Sequence, residues 1–199
     1  LFAEIFGIIK IVDFGRYGGV VVELLIGLLV IAGLIAVAIW LYIANQGDAE
    51  FEFQVNQATA FEVVDSNETA ITLKCKVPFV NKGTQDGTMM DCYTRHLLPY
   101  EQYDGVIVNS RLELESAPRS DGYFEAIIIP KKTGQTIVIT VQLTARHGDI
   151  RQALAQMVDM PIDIVYQVVA RSDWYITKTR LVMKAADVVR AAGLVTGTR

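Results

Sequence analysis

This sequence is short of the side chains that hold metals and move protons. Its 199 residues include two histidines and two cysteines. His96 and His147 stand far apart, and neither has a cysteine or carboxylate at ligand spacing, so no metal site is expected. It also lacks a nucleophile elbow, a phosphate-cradling glycine loop and a kinase signature. Asp163 and Asp173 read as a strand-end and a turn residue rather than as an acid–base pair. Basic residues form no stripe and the net charge is −4. With nothing placed to displace phosphate counterions, nucleic acid is not an expected partner. Together these gaps point away from an enzyme and from any cofactor.

What the sequence has instead is apolar surplus. Hydrophobic residues make up 52% of it, and much of that excess precedes residue 45. From Gln46 onward the composition is that of an ordinary globular domain, long enough to bury its own core. The expected division is a juxtamembrane helix over 1–18, a transmembrane helix over 19–45, a domain over 50–184, and a short helix and tail over 185–199. Residue 1 is Leu, so the translated start is expected upstream.

From Leu24 to Ile43 there is no charged residue. As a helix this run measures roughly 30 Å, the thickness of a bilayer's hydrocarbon layer. Trp40 and Tyr42 lie near its far end, where amphipathic rings favour the headgroup zone. Lys10 and Arg16 precede the run, whereas the first basic residue after it is Lys74. The bias of basic residues toward the cytoplasm therefore places the amino end inside and the domain outside the plasma (inner) membrane, in a single pass. Glu23 borders the span and either meets water or pairs with a neighbouring helix. Gly27, Ala32, Gly33 and Ala36 are small enough to let such a helix approach, with Ala32 and Ala36 forming a small-xxx-small pair. Residues 1–17 are apolar but interrupted by charge. They suit a helix lying in the membrane interface, or equally one docked on a partner subunit, and ending near Gly18 and Gly19.

Beyond residue 50 the hydrophobic period becomes two. Ile71, Leu73, Cys75, Val77 and Phe79 share one face, and Asn81 to Gly87 reads as a turn into a partner strand through Met90 and Cys92. On such a hairpin Cys75 and Cys92 both face the core near one another, as a disulfide or as two buried thiols. Residues 137–143 alternate equally well. Further strands are expected at 51–64, 105–115, 122–129, 162–171 and 174–183, the last two joined by a turn at Ser172 and Asp173. One helix is inserted. Asp149 caps it, Ile150, Ala153, Leu154 and Met157 form its stripe, and Pro161 lies beyond its end. A second is expected from Ala185 to Ala192. The fold class is thus α+β, a transmembrane helix followed by an immunoglobulin-like, mostly antiparallel β-sandwich. Two exposed-looking aromatic clusters are candidate partner contacts: Arg171, Trp174 and Tyr175 at a hairpin tip, and Tyr100 with Tyr103 in a loop.

Two family resemblances extend this reading. The stretch Lys76 to Gly83, together with Phe124 to Pro130 and the strand 137–143, resembles the late-embryogenesis-abundant type 2 group, also called the water-stress and hypersensitive-response domain. That resemblance covers about residues 50–183. It implies a non-catalytic extracytoplasmic module that binds or scaffolds, here a structural or accessory subunit of a cell-envelope assembly. Its expected partners are the lipid bilayer and other envelope proteins or copies of itself. The stretch Gly18 to Ile26 is similar to the class III signal of type IV pilins, with Gly18 before the cleavage site and Glu23 fifth after it. This second likeness implies a filament subunit assembled through its hydrophobic helix.

Overall fold

The computed structural model describes residues 2–119, 121–122 and 124–194, with residues 2–18 described by backbone alone. The chain divides into two compact units between Gln46 and Gly47. The first is a single helix, α1 (Phe2–Ala44). It continues through Gly18 and Gly19, where the sequence suggested that a separate helix ends. A glycine costs a helix only about 1 kcal/mol, and an established ladder on both sides carries the backbone across the pair. Within α1, Gly19–Ala44 is long and apolar enough to cross a membrane. Every described side chain in that stretch is exposed.

Among the described residues the second unit contains nine strands: β1 (Phe51–Phe53), β2 (Glu62–Ser66), β3 (Ala70–Asn81), β4 (Gly87–His96), β5 (Val106–Leu114), β6 (Phe124–Ile129), β7 (Gly134–Ala145), β8 (Met160–Val169) and β9 (Tyr175–Met183). Helix α2 (Ile150–Ala155) is inserted between β7 and β8, and α3 (Ala185–Ala191) follows β9. One sheet runs β1-β3-β7-β5, with β2 also paired to β3, and the other runs β6-β4-β8-β9. All pairs are antiparallel. Leu73, Cys75, Val77 and Phe79 of β3 and Ile137, Ile139, Val141 and Leu143 of β7 face Met89, Ile162, Ile164 and Val168 across one continuous core. The expected two-sheet sandwich is therefore the fold.

Its connectivity differs from the expectation at three places. The first is the proposed hairpin, because β3 and β4 belong to different sheets. β3 pairs with β7 from Ala70↔Thr144 to Val80↔Gly134, and its other edge is taken by β1 and β2, so no edge remains for β4. Cys75 and Cys92 consequently face the core from opposite sheets as free thiols. Second, Met90 and Cys92 do not share a face. Asp91 adopts a left-handed φ of 47°, and the β4–β8 register shifts between Met90 and Tyr93. That bulge turns Cys92 inward and leaves Met90 outside. Third, the strand expected over 51–64 is β1, a 3-10 turn at Val55–Gln57 and β2.

Helix α2 begins where expected. The Asp149 carboxylate accepts from the Arg151 N–H at 2.8 Å, and Ile150 and Leu154 are buried. Of the strand expected at 122–129, residue 123 lies outside the described residues, as does the tail from 195 onward.

Candidate functional site

The expected contact residues separate to opposite ends of the sandwich. Leu97 N–H donates to Pro161 O, so the 97–105 loop lies at the start of β8, whereas Arg171 to Trp174 follow its end. Pro161 to Val169 spans roughly 25 Å at strand rise. At the far end, Tyr103 is 7% exposed and its hydroxyl donates to Ala153 O at 2.8 Å. Burial pushes its pKa up. Tyr103 is a plug over α2 and not a contact residue, because a phenol at that site fills the core edge while its hydroxyl meets a helix carbonyl. Tyr100 stays exposed under the Arg146 guanidinium, 5.8 Å from its ring centre.

The near end, where Gly47 opens the domain, is more elaborately built. Asp48 accepts from Ala49 N at 2.8 Å, Arg171 N at 3.1 Å and Ser172 N at 3.0 Å. The Ser172 hydroxyl and these N–H groups hold its carboxyl below the usual range despite partial burial. Beside it, Asn81 is 0% exposed and uses its whole amide. Its Oδ1 accepts from Glu50 N at 3.1 Å and Gly83 N at 2.9 Å, while its Nδ2 donates to Gln85 O at 2.9 Å and Ile129 O at 3.1 Å. A Cβ on Gly83 would run into the backbone of Asp48, Ala49 and Glu50. These contacts, with Phe53 stacked 5.0 Å from Phe79, seat the first residues of the domain on the turns after β3 and β8.

Around this anchor lies an apolar patch on the outer face of the second sheet. One register row is Ile128–Thr88–Val169, and the next is Ala126–Met90–Gln167–Ile176. Ile128 is 70% exposed and Ile176 62%. Trp174, also 62% exposed, precedes β9, and Tyr175 follows it. Four strands give the patch a width of roughly 14 Å. Lys131 and Lys132 in the turn after β6, and Arg171 in the turn after β8, are its exposed basic neighbours, and Asp173 shares the latter turn. The sequence pointed to Trp174, Tyr175 and Arg171. It did not point to Ile128 and Ile176, whose proximity depends on the strand order β6-β4-β8-β9.

Other expected residues take the following places. Glu23, Gly27, Ala32, Gly33, Ala36, Trp40 and Tyr42 all lie exposed on α1. At about 100° per residue, Ala32 and Ala36 lie roughly opposite Glu23 and Gly27, with Gly33 between the two groups, so the five do not form one stripe. Burial pushes the Cys75 thiol up to about 12 and the Cys92 thiol higher than its ordinary value. His96 is shifted down by burial.

Asp163 is not at a strand end but inside β8, and its side chain is 2% exposed. It accepts from Arg180 at 2.8 Å and from Lys178 at 2.6 Å, both on β9. Arg180 foremost, then Lys178, brings its carboxyl down to about 2 against the cost of burial. The sequence signal for this cluster was an acid in an apolar strand opposite two bases, legible only once β8 and β9 are paired. Among the described residues, no group of three or more His, Cys, Asp or Glu side chains is arranged to hold a metal ion.

No family model matches the chain, and no curated protein matches it in sequence. Solved structures with a similar course of strands include the following three. The GAE domain of GGA2p from Saccharomyces cerevisiae is 10% identical, with 69% of this chain and 98% of that one covered and a TM-score of 0.32. The yeast GGA1 GAE domain is 8% identical over 64% and 98%, with a TM-score of 0.28. The Northeast Structural Genomics Consortium target SoR45 is 14% identical over 67% and 85%, with a TM-score of 0.33. Likeness at this level says nothing of what this chain binds.

Proposed function

We propose that this chain is a non-catalytic, single-pass membrane protein whose β-sandwich stands on the extracytoplasmic side as a structural or accessory subunit of an envelope assembly. The observation that carries the reading is the uncharged part of α1 from Leu24 to Ala44, none of whose side chains is covered by protein. Leaving that much apolar surface in water is strongly unfavourable at about 25 cal/mol per Å², so lipid or partner helices cover it. The basic residues Lys10 and Arg16, on the amino side alone, support the inside placement of that end. Protease added to intact cells is expected to remove the sandwich. Protection until the membrane is permeabilised would reverse the topology. Purification in mild detergent is expected to bring envelope proteins or further copies with it, and a lone monomer would remove the case for an assembly role.

A second reading, a pilin-like filament subunit, draws on the unbroken course of α1 through Gly18 with Glu23 as the acid bordering its uncharged stretch. Mass spectrometry of the mature protein separates the two readings, because a chain beginning at Gly19 belongs to the filament and not to the anchor.

A further inference from the structure

We infer that the near end of the sandwich docks on the surface of the bilayer that its own anchor crosses, with Trp174, Ile176 and Ile128 entering the headgroup zone. This inference rests on the membrane reading above and specifies what covers the exposed patch. Three features carry it. The first is tether length. Gly47 follows Ala44 by three peptide steps, at most about 11 Å of chain. Asp48 is in turn hydrogen-bonded to Arg171 and Ser172, so the β8–β9 turn is tied to the second residue of the domain, close in the chain to the end of the span. The interfacial layer on each side of the hydrocarbon is several ångströms deep, within reach of that tether.

The second feature is composition. An exposed Trp and two exposed Ile, with Arg171, Lys131 and Lys132 beside them and Asp173 and Asp86 close by, include the residue types that settle where acyl chains meet phosphates. The third is construction. Asn81 and Asp48 fasten the first residues of the domain to the turns that carry these side chains, so the patch is presented on a rigid mount.

The chain has two tryptophans, Trp40 and Trp174, and this makes a direct test available. The full-length protein is reconstituted into phosphatidylcholine vesicles whose acyl chains carry bromine at shallow or deep positions. Trp40→Phe leaves Trp174 as the emitter, and Trp174→Phe leaves Trp40. Expected is a loss of Trp174 emission with shallow bromines that is smaller with deep ones, and recovery of that emission when Ile128→Glu and Ile176→Glu are added. Quenching of Trp40 with no quenching of Trp174 overturns the docking while leaving the span intact. Trp174 shielded from aqueous acrylamide but untouched by bromine also overturns it, since a protein then covers the patch. If Trp40 itself escapes quenching, the membrane reading fails and takes the docking with it.

Discussion

At the scale of single residues, two polar side chains hold positions that the apolar pattern does not explain. Asn81 lies fully buried with both amide atoms doubly bonded, joining the first residues of the domain to the turn after β3 and to the end of β6. Replacing it with Ala strands four backbone groups, and we expect a loss of about 3 kcal/mol in chemical unfolding. Asn81→Asp should be no milder, because a carboxylate then faces the carbonyls of Gln85 and Ile129. Equal stability of both variants with wild type would show that water replaces the amide. Asp163 behaves differently, since its partners Lys178 and Arg180 are themselves half-exposed and can rehydrate. Asp163→Asn should cost about 1–2 kcal/mol at neutral pH. The folded carboxyl titrates near 2, below its unfolded value of about 3.8, so its contribution is complete above pH 4 and fades as pH falls toward 2. Denaturation midpoints of wild type and Asp163→Asn should converge across that window, and a constant gap would assign the effect to packing.

At the scale of elements, period-two alternation made the sandwich readable, because each strand buries one face and wets the other. Thus 105–115 became β5 (Val106–Leu114), and 174–183 became β9 (Tyr175–Met183). Alternation tells which face a residue is on but not which strand is its neighbour. β3 and β4 therefore read as a hairpin when the chain in fact crosses between sheets. The same blindness hid the patch, since Ile128 and Ile176 are separated by two intervening strands, while Trp174 announced itself by chemistry alone. It also hid the Asp91 bulge, where one left-handed residue reverses the alternation of half a strand. Helix α1 was legible over its uncharged part. Its continuation through Gly18 was not, because glycine pairs mark helix ends and helix interiors alike. Leu29→Arg places a charge in the middle of the uncharged stretch, at a cost of about 2.5–3.5 kcal/mol for insertion. We expect the variant to shift from the membrane pellet toward the soluble or degraded fraction. Undiminished pelleting after carbonate washing would mean that helix partners, not lipid, surround that position.

At the scale of the whole molecule, the sandwich has its own closed core and should open as one cooperative unit. Cys75 and Cys92 are sensors of that opening, buried from opposite sheets with thiols raised by burial. Both should resist a thiol-specific alkylating reagent in the native protein and react together once the domain unfolds, at the same denaturant midpoint as the loss of β-structure. Rapid modification of either thiol under native conditions would reveal a local opening between the sheets. The arrangement of β1 adds a mechanical corollary. The chain arrives at one end, runs as β1 antiparallel to β3, and leaves β9 at the opposite end, as the pairing of Met160 with Met183 requires. Tension between the two termini therefore loads the β1–β3 bonds sideways and together, in shear, instead of unzipping them one by one. A domain wired this way holds its shape when its tether is tugged.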